Sequence, residues 1–165
     1  MKLLILLLLF TTTLFSQNEF RLNKTESFDF GIVVDPHASI KEHGLNIGGE
    51  IEYVGLVYTR ASITSFSALK YGYTDFTGAF GINFTSGMWE KFRYYAGGRL
   101  GLIRRNSATY PTAGYEAGID YNINDKMSIG LRATNDKRTD FMIYNAPQVM
   151  RQSGFIKVGF KLDKL

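Results

Sequence analysis

From residue 28 onward the sequence alternates between apolar and polar positions through eight separate segments, and this period of two limits the fold more than any other feature. Successive side chains on a strand point to opposite faces, whereas a helix needs a period near 3.6. The eight segments therefore predict eight amphipathic strands, near 28–34, 45–53, 57–64, 75–84, 92–102, 113–121, 127–134 and 156–162, divided by turn-forming residues. In the first, Phe28, Phe30, Ile32 and Val34 share one face while Asp29, Gly31 and Val33 share the other. The seventh repeats this, with Met127, Ile129, Leu131 and Ala133 against Ser128, Gly130, Arg132 and Thr134. Every charge on these strands falls on one face.

Alternation alone fits either a soluble barrel with an apolar inside or a membrane barrel with an apolar outside. Three features select the second. The polar face mixes glycines such as Gly81, Gly97, Gly118 and Gly130 with long charged side chains, the small/large mixture of a narrow filled interior. Its charges nearly balance, with Asp29, Glu50, Glu52, Glu116 and Asp120 against Arg60, Arg93, Arg99, Arg132, Lys157 and Lys161, as enclosed charges must. The connections also alternate. Those near 35–43, 65–73, 104–111 and 135–154 are longer than those around Val54 and Gly55, 86–91 and 122–126. Long loops at one end and short turns at the other mark a membrane barrel, and they put both termini at the short-turn, periplasmic end. Phe28, Tyr53, Phe84, Phe92 and Tyr121 all fall at that end of the apolar rows, as an interfacial aromatic girdle would. The expected fold class is all-β: a closed antiparallel up-and-down transmembrane barrel of about eight strands.

The chain opens Met1-Lys2, runs through apolar residues 3–10, and reaches Ser16 and Gln17 after a threonine-interrupted stretch. One basic residue, a short apolar core and a small residue predict a signal peptide cleaved after Ser16, leaving residues 17–165 as one domain. The absence of cysteine removes disulfides and thiolate metal sites, so the sheet itself must supply stability. A net charge of +4 is weak grounds for a nucleic-acid partner, because no Lys/Arg run exceeds two residues and an exported chain rarely meets nucleic acid.

With these rows assembled, the chain resembles the small eight-stranded outer-membrane barrels of the OmpA transmembrane-domain and OmpX kind. The resemblance spans nearly the whole mature chain and lies in pattern and topology. It implies residence in the cell outer membrane, surrounding lipid, assembly by barrel-insertion machinery, and a monomer. One departure is the ending Gly159-Phe160-Lys161-Leu162-Asp163-Lys164-Leu165, in which the last aromatic stands five residues short of the end.

No residue set points to a catalytic centre, a cofactor or a metal site. His37 and His43, with Asp35, Ser39 and Glu42, lack metal-ligand spacing and read as solvated loop residues. Gly97-Gly98-Arg99-Leu100-Gly101 lies inside a strand and lacks a phosphate-loop pattern, and Trp89 reads as an interfacial anchor. The final loop, with Arg138, Phe141, Met142, Tyr144, Pro147 and Met150, reads as an external cap, with a ligand at the external loops as a further possibility.

The candidate site is instead an interior charge cluster of Arg99, Glu116, Arg132, Glu50, Arg60, Asp120 and Arg93. Centring the fifth-to-sixth hairpin on 106–109 sets Arg99 opposite Glu116, and centring the next turn on Asn124 sets Glu116 opposite Arg132. An Arg99-Glu116-Arg132 cluster would then cross-link three strands and plug the lumen. The expected function is non-catalytic: a structural or surface-interaction barrel with a side-chain-filled lumen. Two alternatives are an exported lipocalin-like carrier of a small apolar ligand and a lipid-modifying barrel enzyme.

Overall fold

The computed structural model describes residues 20–22, 26–41, 43–67, 72–86, 91–140 and 149–162. In chain order the elements are β1 (Phe20–Leu22), β2 (Ser27–Val34), α1 (Pro36–Lys41), β3 (Asn46–Val54), β4 (Val57–Phe66), β5 (Tyr73–Ser86), β6 (Phe92–Arg105), β7 (Ala108–Asn122), β8 (Met127–Arg138) and β9 (Met150–Leu162). Strands β2 to β9 each pair antiparallel with their chain neighbours, and β2 pairs with β9, closing an eight-stranded up-and-down barrel. The signal-peptide region and Trp89 lie outside the described residues.

The registers fix the barrel's shape. Starting at Phe30 and stepping through Ile51, Ala61, Gly78, Leu100, Ala113, Lys137 and Met150, the β9–β2 register returns to β2's line at position 40, ten residues displaced. An offset of about 33 Å along the strands, against roughly 38 Å of lateral spacing for eight strands, gives a tilt of about 40°.

The faces fall as the alternation requires. Phe30, Ile51, Phe76, Phe80, Leu100, Leu131 and Phe160 point outward, while Asp29, Glu50, Arg60, Glu116, Arg132 and Lys157 are buried inside. A continuous apolar exterior of this kind suits hydrocarbon and not water. On β5 the outward apolar row runs from Phe76 to Phe84, close to the roughly 9–11 residues a tilted strand needs to cross the membrane. At the short-turn end Phe28 packs on Tyr53 with centroids 5.3 Å apart, and Phe92 on Tyr121 at 5.0 Å.

The connections correct three expectations. The loop expected over 104–111 is a two-residue turn, Asn106–Ser107, both residues left-handed with φ of 47° and 65°, so β6 and β7 run on past the apolar belt. Left-handed backbone at both central positions is what a two-residue hairpin demands. The loop expected over 135–154 shrinks at both ends, since β8 continues to Arg138 and β9 begins at Met150. The β7–β8 turn is centred on Asp125 rather than Asn124, with Asn122 opposite Ser128, because the Asn124 side chain accepts from the Lys126 and Met127 amides and fixes the turn there. At the same end, β3 and β4 are joined through Gly55 and Leu56.

One strand was not foreseen. The β4 register on β5 stops at Val57–Ile82, leaving the last three residues of β5 without a β4 partner, and β1 fills the place by pairing Phe20–Leu22 with Phe84–Ser86. A buried or interfacial strand edge left open would strand its backbone groups, so the preceding segment folds back to satisfy them.

Candidate functional site

The alternation of β3, β4 and β6 to β9 delivers a charged side chain into the lumen from every one of these strands. Glu116 of β7 sits at the centre. Its Oε1 accepts from Arg60 Nη1 at 2.7 Å and from the Tyr58 hydroxyl at 2.8 Å, and its Oε2 lies 3.1 Å from Arg99 Nη1 and 4.0 Å from Arg132 Nε. Glu50 binds Arg132 Nη1 at 2.7 Å and Lys157 at 3.4 Å. Glu52 binds Lys157 Nζ at 2.7 Å, Arg93 at 2.8 Å and Arg60 at 3.1 Å. Asp120 completes the set on Arg93 at 2.6 Å and Lys157 at 3.4 Å, and Asp136 on Arg99 Nε at 3.2 Å.

Five carboxylates thus meet five cations in one connected network. The central side chains are almost fully screened from solvent, with Glu52 and Lys157 each 1% exposed. Charges so enclosed stay ionised only if each finds partners, which here it does. The Arg60 guanidinium lies against both Tyr58 and Tyr95, 5.2 and 4.9 Å from their ring centroids, and Arg93 sits 4.8 Å from Tyr95. Glycine makes this packing possible. A Cβ at Gly97 would stand 2.6 Å from the Tyr58 hydroxyl, and one at Gly118 would collide with the Tyr95 ring.

All seven residues of the expected cluster are brought together, but not by the expected pairing. Arg99 stands opposite Gly114, and Glu116 is flanked by Gly97 on β6 and Thr134 on β8, so each hairpin register differs by two residues from the one read in the sequence. Arg99 and Arg132 reach Glu116 diagonally, a span that long side chains cover. The closest cation to Glu116 is Arg60, from across the lumen, and hairpin arithmetic has no access to that contact.

No family model and no curated protein matches the chain. Solved structures do. The N-terminal β-barrel domain of Pseudomonas aeruginosa OprF superimposes with a TM-score of 0.60 at 13% identity, covering 85% of this chain and 99% of that one. The chain has the fold of the small eight-stranded outer-membrane barrels. Neisserial surface protein A matches this barrel with a TM-score of 0.54 at 12% identity, over 84% of this chain and 96% of that one. A de novo designed transmembrane β-barrel matches it at 0.56 and 12%, over 86% and 100%.

The barrel has a second cluster at its long-strand mouth, which the sequence reading missed. Thr74, Arg104 and Lys137 point outward at this level, so the cluster lies beyond the apolar belt. Arg138, expected in an external loop, is 3% exposed and turned inward. It binds Asp140 through Nε at 3.0 Å and Nη2 at 3.1 Å, and Asp75 at 3.5 Å. Arg105 holds the same Asp140 at 3.1 Å. Arg138 also stacks 4.3 Å over Tyr73, which packs with Phe66, Ile103 and Ala38 of α1. Burial pushes the Asp75 carboxyl up to about 6 in spite of Arg138 and Arg151. The signal was present: continuing the inward row of β6 beyond 102 reaches Arg105, and that of β8 beyond 134 reaches Arg138.

Asp35 and Ser39 serve α1. Asp35 Oδ1 accepts from the Ala38 amide at 2.9 Å, while the Ser39 hydroxyl donates to the Asp35 carbonyl at 2.6 Å and accepts from the Asn46 amide at 3.0 Å. His37 is exposed and His43 occupies a left-handed turn position. Glu42, Phe141, Met142, Tyr144 and Pro147 lie outside the described residues.

Proposed function

We propose that this protein is a non-catalytic resident of the cell outer membrane, with a lumen closed by its own charged side chains and a structural or surface-interaction role carried by its external end. In this reading residues 1–16 are removed on export, insertion machinery assembles residues 17–165, and a monomer sits in lipid. One observation carries the proposal: Glu50, Glu52, Glu116 and Asp120 each engage at least two cations within 4.0 Å. An ion entering the lumen would have to break buried pairs without replacing them, a step that typically costs about 3–5 kcal/mol. The Arg99-Glu116-Arg132 set ties β6, β7 and β8 together and acts as part of the plug.

Planar-bilayer recording of the pure protein tests this reading. It expects no stable large conductance, and reproducible porin-sized steps would overturn it. Detergent-free solubility of the mature chain would instead favour the carrier.

A further inference from the structure

The inward charges are unevenly distributed along the chain. In the first four barrel strands, β2 to β5, the interior carries Asp29, Glu50, Glu52 and Asp75 against Arg60 alone, a net charge of −3. The last four, β6 to β9, reverse the sign. There β6 brings Arg93, Arg99 and Arg105, and β8 brings Arg132 and Arg138. Strand β9 adds Arg151, Lys157 and Lys161. Against these stand Glu116, Asp120 and Asp136, for a net charge of +5.

Five of the pairs that join the two halves follow this division, and Arg60–Glu116 at 2.7 Å runs the other way. Glu52 meets Arg93 and Lys157, Glu50 meets Arg132 and Lys157, and Asp75 meets Arg138. Pairs within one hairpin, such as Arg93–Asp120 at 2.6 Å and Arg60–Glu52 at 3.1 Å, supply local balance as well. Beyond that local balance, the sequence leaves a net acidic half-sheet facing a net basic one.

We propose that the barrel closes by electrostatic docking of two oppositely charged four-strand half-sheets, so that ionic strength controls assembly but not the finished barrel. Before closure both inner faces are wet, and salt screens charges separated by more than about 10 Å at 0.1 M. After closure the same groups are buried and paired, where screening is much weaker.

The test uses the full mature chain, diluted from urea into neutral short-chain phosphatidylcholine vesicles at 10 mM to 1 M NaCl, with folding followed by the gel shift of the heat-modifiable barrel. Steering of this kind changes rates by about tenfold or more, so the folding rate is expected to fall about tenfold across the series while the unfolding rate stays within twofold. A charge-exchanged variant, D29K/K161D, keeps the directly opposed β2–β9 pair and lowers the half-sheet charges to −1 and +3. Its salt dependence is expected to be less than half that of the parent. Parent folding that is salt-independent or faster at high salt overturns the proposal, as does a folded D29K/K161D with undiminished dependence. If the variant fails to fold, the parent series alone decides.

Discussion

Replacing Glu116 with glutamine removes one negative charge from the centre of the lumen without changing its volume. At an effective dielectric of about 20, each direct contact near 3 Å is worth roughly 5–6 kcal/mol before desolvation, which cancels most of it. The structure limits the net loss, because no cation is orphaned. Arg60 keeps Glu52 at 3.1 Å, Arg99 keeps Asp136 at 3.2 Å, and Arg132 keeps Glu50 at 2.7 Å. The glutamine oxygen can still accept from Tyr58 and Arg60, but its amide would then point a donor at the donors of Arg99. The expected destabilisation is therefore about 2–3 kcal/mol, below the roughly 3–5 kcal/mol of a fully broken buried pair. Urea titration of folding in lipid vesicles measures it. In a double-mutant cycle with Arg99→Gln, the two changes should couple by at least about 1 kcal/mol. An E116Q barrel within about 0.5 kcal/mol of the parent would refute the idea that Glu116 holds three strands together.

Three further expectations concern other parts of the molecule. Arginine at Phe80 or Ile129, both pointing into the apolar belt, should cost about 2–4 kcal/mol if near the midplane, and unchanged urea stability in vesicles would contradict the lipid-facing assignment. Gly97→Val would drive a side chain into the Tyr58 hydroxyl and the neighbouring Phe80 carbonyl, with an expected loss of about 1–3 kcal/mol by the same assay. At the mouth, Asp75 is raised from 3.8 to about 6, so the folded state holds its proton more tightly than the unfolded chain does. Its contribution is favourable below pH 4 and is lost as pH rises to about 6, so Asp75→Asn should gain up to about 3 kcal/mol relative to the parent between pH 4 and 7.5. A difference that stays flat with pH would exclude this.

The faces of the strands were legible because period two assigns each side chain to the inside or the outside, and one buried surface enforces that choice. Register was less so. A slip of two residues leaves every side chain on its proper face, so the displacement of Arg99 from Glu116 to Gly114 could not register in the pattern. What decides it is the Asn106–Ser107 turn, and Ser107 is a poor advertisement for the left-handed conformation it adopts. The contact of Arg60 with Glu116 was beyond the sequence for another reason. Strands β4 and β7 are not neighbours, and only closure with a given stagger brings them face to face. The mouth cluster lies past the last apolar positions of the rows, where the alternation no longer marks Arg105 and Arg138 as strand residues.

The two-residue tip between β6 and β7 makes the barrel a scaffold for display. Arg105 and Ala108 still face each other at the hairpin's end, so a peptide grafted between Asn106 and Ser107 would leave on two rigid strands and begin beyond the belt. The α1 connection offers no such freedom, because Ala38 is inserted in the mouth and Asp35 and Ser39 are committed to bonds that shape it. A foreign epitope at the tip should reach antibody on intact vesicles with the heat-modifiable fold retained. The same graft in α1 should unseat Ala38 from Phe66 and Tyr73.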